Sequence, residues 1–156
     1  MRRQQRRSTP LILLTLCLAS GASADEIETS KTSEGLTAYL GVLPAAMIQG
    51  HDKDHEESTM HDGVPRGAHA YHVMVAIFDA ESGERVDDAQ VEAEVTPLGL
   101  SSVRKPLDIM EIAGVVTYGN YFPLPGDDYY RIVVSITRGQ GTKPILLEFR
   151  HEHRTR

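Results

Sequence analysis

Two stretches of this chain repeat apolar residues with a period of two. In 89–95, Ala89, Val91, Ala93 and Val95 are separated by Gln90, Glu92 and Glu94; in 130–136, Tyr130, Ile132, Val134 and Ile136 line up on one side. Successive side chains of a strand point to opposite faces, so this pattern fits antiparallel strands with one face buried and the other in water. Other stretches have the same character. In 36–43, Leu36, Ala38, Leu40 and Val42 share a face; 71–78 is a dense run of β-formers closed by Asp79-Ala80-Glu81-Ser82-Gly83; 107–112, 114–122 and 145–149 complete the series. Short strands divided by Gly, Pro and Asp clusters, with no sustained helical period, predict an all-β protein: an immunoglobulin-like antiparallel β-sandwich of about seven strands over 35–150. Pro125-Gly126-Asp127-Asp128 ahead of Tyr129-Tyr130 reads as a corner from which a tyrosine hydrogen-bonds back to the backbone. Trp is absent and aromatics make up 6%, so the core must be aliphatic.

The first residues have a different logic. Arg2, Arg3, Arg6 and Arg7 precede an apolar stretch, 11–19, and then Ala22-Ser23-Ala24. Basic, apolar, small is the pattern of a cleavable signal peptide over 1–24, too short in its apolar part to span a membrane. Cleavage after Ala24 leaves 132 of 156 residues and removes four of the 16 basic residues and none of the 22 acidic ones, taking the net charge from −6 to −10. The only cysteine, Cys17, leaves with the signal, so the exported chain has neither a disulfide nor a thiolate metal ligand. The acidity argues against a nucleic-acid partner. The polar stretch 25–34 is expected to be mobile and 151–156, with His151 and His153, to be a frayed charged tail.

All seven histidines remain in the exported part. Without cysteine, methionine is the one soft ligand available, and thioether with imidazole suits copper, whereas carboxylate with imidazole suits iron, manganese or zinc. One candidate group lies in 49–67, a stretch without strand pattern that holds His51, His55, Met60 and His61 among five acids. The other lies on the strand 71–78. His72 and Met74 are two apart and share a face, opposite that of Val73, Val75 and Ile77, and His69 stands just ahead. This places His72 and Met74 outward, unless another element covers them.

Several segments, in order, resemble the periplasmic ferrous-iron-transport accessory family. Gly35-Leu36-Thr37-Ala38-Tyr39-Leu40 is similar to the family's first strand. His72-Val73-Met74-Val75-Ala76-Ile77 resembles a strand with a ligating His and, two residues on, a Glu, here Met74. Met110 resembles the family's ligand Met, and Thr117-Tyr118-Gly119-Asn120 resembles a stretch in which another ligand His stands where this chain has Thr117; Leu146-Leu147-Glu148-Phe149 is similar to the family's ending. The resemblance implies an immunoglobulin-like, dimeric protein that binds copper and iron beside a membrane iron permease. Two of the family's ligands, His72 and Met110, match and two positions depart. The remaining set, His72, Met74 and Met110, with His69 or a histidine of 49–67 to complete it, favours Cu(I) over Fe(II) by softness.

Periplasmic copper or ferrous-iron binding in metal uptake, delivery or homeostasis is thus the leading expectation, with an inner-membrane metal transporter, a client metalloprotein or a second copy as partner. The competing expectation is an immunoglobulin-like interaction module without metal. No nucleophile elbow, HExxH pair or triad spacing is present, so an enzyme is not expected.

Overall fold

The computed structural model describes residues 29–48, 64–112 and 114–154, apart from the side chains of 48 and 112. The signal segment 1–24, the start of 25–34, and 49–63 with His51, His55, Met60 and His61 lie outside the described residues. The described chain forms β1 (Ser30–Ser33), β2 (Leu36–Pro44), the short α1 (Ala45–Ile48), β3 (Ala70–Asp79), β4 (Gln90–Pro97), β5 (Val103–Ile112), β6 (Val115–Pro123), β7 (Asp128–Thr137) and β8 (Ile145–His153). No helix among the described residues is long and apolar enough to cross a membrane.

All pairings are antiparallel, in the order β1-β2-β3-β6-β5-β4-β7-β8. β5 belongs to both halves. Val103–Leu107 pairs with β4, and Asp108–Ile112 pairs with β6. One layer is therefore β2-β3-β6-β5 with β1 at its edge, and the other is β4-β7-β8. In chain order these are the ABED and CFG sheets of a constant-type immunoglobulin sandwich.

The alternating residues fill the space between the layers. Val73, Val75 and Ile77 of β3, Val91, Ala93 and Val95 of β4, and Ile132, Val134 and Ile136 of β7 are buried in one cluster with Leu147 and Phe149 of β8. Burying each such side chain contributes about 1.5–3 kcal/mol. The corner forms as the sequence predicts: Tyr130 Oη donates to Pro125 O at 2.6 Å, with the ring fully buried. Tyr118, the other large buried tyrosine, donates to Val86 O at 3.2 Å and accepts from Ala89 N at 3.1 Å.

Three boundaries differ from the sequence-based expectation. Ser30–Ser33, expected in a mobile segment, is β1; Glu34 and Gly35 both take positive φ (47° and 79°) and turn it back onto β2. An edge strand needs backbone pairing rather than apolar side chains, so its polar sequence concealed it. β5 begins at Val103, ahead of Pro106, which interrupted the pattern. β8 runs to His153 rather than fraying after Arg150, and His153 is buried. His151 and His153 continue the inward face of Leu147 and Phe149.

Candidate metal centre

Residues paired across antiparallel strands share a face, so the register locates each candidate ligand. His72 pairs with Leu43 on one side and Tyr121 on the other, and Met74 with Gly41 and Gly119. Gly119 pairs in turn with Asp108, and Met110 with Thr117. His72, Met74, Gly119, Tyr121, Thr117, Asp108 and Met110 therefore occupy one face of the β2-β3-β6-β5 layer, the face turned away from the core.

That face is outward but not bare. His72 and Met110 are each 1% exposed and Met74 is half-buried. The ring of Tyr121 stacks on His72, with centroids 4.7 Å apart and planes 28° from parallel. Tyr121 packs in turn with Ala45 of α1, Val64 and Ala70. The chain on both sides of 49–63 thus helps roof the sheet, which keeps a soft donor set away from water.

Gly119 marks where the donors converge. A methyl group added to its Cα would lie 2.7 Å from His72 Nε2, 3.1 Å from Met110 Sδ and 2.6 Å from the Met110 methyl. An imidazole nitrogen and a thioether sulfur thus flank the same small volume, which stays open because position 119 has no side chain. Met74 is the direct cross-strand neighbour of Gly119, but its methyl is turned toward β2, 3.5 Å from where a Cβ on Gly41 would be. Thr117 lies across from Met110. Its hydroxyl is buried without a hydrogen-bond partner among the described residues.

The structure thus brings His72 and Met110 to one point, sets Met74 beside them, and leaves His69 apart. His69 is exposed in the turn before β3, where its carbonyl accepts from Leu124 N at 2.8 Å. Among the described residues, no three of His, Cys, Asp and Glu gather as a metal site. The donors that the described residues do bring together on this face are an imidazole nitrogen and a thioether sulfur. Sequence reasoning missed Gly119, whose Gly-Asn bend reads as plain strand geometry, and the stacking Tyr121. It also missed Asp108, the one carboxylate in the row.

Two histidines elsewhere are perturbed. Burial lowers the His151 pKa, with the neighbouring His153 adding to the effect. Burial also lowers that of His153, against which Asp127 raises it and His69 lowers it further. The His153 ring stands edge-on to Tyr71 at 4.4 Å. These two groups are part of the core end and not of the His72 face.

An immunoglobulin-like sandwich with a covered imidazole and thioether on the outer face of one sheet defines the class to compare. The fold is that of FetP from uropathogenic Escherichia coli, solved in a copper-bound variant form (13% identity, TM-score 0.61, covering 80% of this chain and 93% of that one). It is equally that of a copper-bound variant of Campylobacter jejuni P19 (12% identity, TM-score 0.61, 81% and 94% covered). A DUF4426 family protein from Pseudomonas aeruginosa shares it as well (13% identity, TM-score 0.56, 81% and 97% covered). No protein-family model and no curated protein matches the chain.

Proposed function

We propose that this protein is a periplasmic copper carrier, non-catalytic, which holds Cu(I) between His72 Nε2 and Met110 Sδ and takes Met74 as third ligand after a rotamer change. The observation that carries this reading is the convergence of nitrogen and sulfur on the open position above Gly119. The copper-bound states of FetP and P19, which share this fold, support it. Two thioethers and one imidazole form a soft set that suits Cu(I); Fe(II) would have Asp108 as the one carboxylate in the row. The leader-like 1–24 supports export. Tyr39, Leu43 and Met47, beside the same face, are exposed apolar groups that a metal transporter, a client metalloprotein or a second copy of the chain would cover.

The test is calorimetric titration of the purified protein with Cu(I), Cu(II) and Fe(II), repeated on His72→Ala. The expected outcome is one tight Cu(I) site, lost in the variant, with Fe(II) bound far more weakly. Tight binding that survives His72→Ala would move the site to His51, His55, Met60 and His61. Absence of binding by any of the three metals would favour an interaction module.

A further inference from the structure

A second site is marked by a lysine that faces the wrong way. Lys105 pairs with Ala93 across the β4–β5 ladder, between the pairs Val103–Val95 and Leu107–Val91. It therefore projects from the core face of β5, a position its neighbours fill with Val and Leu. Charged side chains facing inward are rare unless partnered. The stem of Lys105 runs inside the sandwich, and its ammonium emerges where β5 leaves β4 for β6. There Nζ donates to Tyr121 O at 2.6 Å and lies 5.4 Å from the centre of the Phe122 ring. No carboxylate pairs with it among the described residues. An ammonium has three donors, so two are left for a ligand.

The ammonium opens onto a cavity of about 450 Å³, a size typical of small-molecule sites. Its lining includes Arg66, His69, Asn120, Tyr121 and Pro123, and among the described residues neither Asp nor Glu. In a chain of net charge −6, a cavity whose described lining holds two cations and an imidazole and no acid is a local reversal of sign. The walls are built in. Leu124 N donates to His69 O at 2.8 Å and Ala70 N to Gly67 O at 3.3 Å, which fastens the 66–69 turn to the end of β6. On the far wall, Asn120 Nδ2 donates to Pro106 O at 2.8 Å and so fixes the backbone next to Lys105.

We propose that this cavity binds a small oxyanion with several negative oxygens, a polycarboxylate or a phosphate, clamped between the Arg66 guanidinium and the Lys105 ammonium. The two cations come from different elements, the turn before β3 and β5, which suits a ligand with charge at both ends.

Calorimetry on the metal-free protein at low ionic strength, with citrate and with inorganic phosphate as separate probes, tests this. One-to-one saturable binding of at least one probe is expected, weakened about tenfold in Arg66→Gln and further in Arg66→Gln/Lys105→Gln. Lys143→Gln, an exposed cation outside the cavity, should leave it unchanged. Citrate alone binding would identify a polycarboxylate ligand, and phosphate binding a phosphate; either supports the site. No saturable heat from either probe, or equal weakening by Lys143→Gln and Arg66→Gln, overturns it. Arg66 belongs to the exposed turn, so its variant reads binding and not folding. Copper titration plays no part in this result, so a failure here and a failure of the copper reading are separable.

Discussion

The two faces of the β2-β3-β6-β5 layer both bury side chains, and for different ends. On the inner face, Val73, Val75 and Ile77 pack into a cluster that is not the purely aliphatic core expected from composition but also holds Tyr71, Tyr118, Phe122, Tyr130 and Phe149; the Tyr118 hydroxyl is bonded both as donor and as acceptor. On the outer face, one residue along the same strands, burial covers an imidazole, a thioether and the Thr117 hydroxyl, which has no bonding partner among the described residues. An unmet buried polar atom lowers stability. The inner face thus carries the fold, and the outer face holds soft donors over a glycine at some cost to it.

The comparison can be broken by one substitution on each side. Ile77→Ala, deep in the inner cluster, should lower stability by about 2–5 kcal/mol in chemical denaturation. Its Cu(I) affinity, measured below the unfolding transition, should not change. Gly119→Ala should weaken Cu(I) binding about 10–100-fold, since its methyl occupies the space between His72 Nε2 and Met110 Sδ. The accompanying stability loss should be about 1–3 kcal/mol, because Met110 and His72 must shift. Copper binding unchanged in Gly119→Ala would place the metal elsewhere.

Met110→Leu sharpens the contrast. The swap nearly conserves volume, so stability should fall by less than about 1.5 kcal/mol. The thioether is nonetheless gone, and Cu(I) affinity should fall about tenfold or more while an imidazole-preferring metal such as Zn(II) is little affected. Equal losses for both metals would show that Met110 shapes the cavity without ligating.

Much of the core was legible in the sequence, because a strand's period of two is written directly in Ala89–Val95 and Tyr130–Ile136 of the facing layer, and Pro125-Gly126 announced the corner that Tyr130 closes. The outer face was legible only in part. His72 and Met74 could be placed on one side of β3 from their spacing alone. That Met110 and Gly119 join them depends on which strands are neighbours and in what register, and pairing between distant strands is not a local property. The same reason hid β1, whose Ser-Lys-Thr-Ser needs only β2's backbone, and Lys105. For the lysine a local signal did exist: Val103, Lys105 and Leu107 alternate, so the charge falls on the apolar side.

The smallest expected effect qualifies the core itself, at the end of the facing layer. His153 ends β8 on the core side, 5% exposed, against Tyr71, with Nε2 buried and without a partner among the described residues. Burial lowers its pKa from the ordinary 6.5, as it does that of His151; Asp127 opposes the shift at His153 and His69 adds to it. As pH falls through about 6.5, the unfolded chain takes up protons that the folded one resists. The stability these neutral imidazoles allow is thus complete above that pH and declines below it, until the folded-state pKa is passed. Thermal melts from pH 8 to pH 5 should show Tm dropping on the acid side. His153→Phe, which keeps the aromatic contact with Tyr71, should reduce the slope. An undiminished slope in His153→Phe would assign the acid sensitivity to other groups and leave the core uniformly inert.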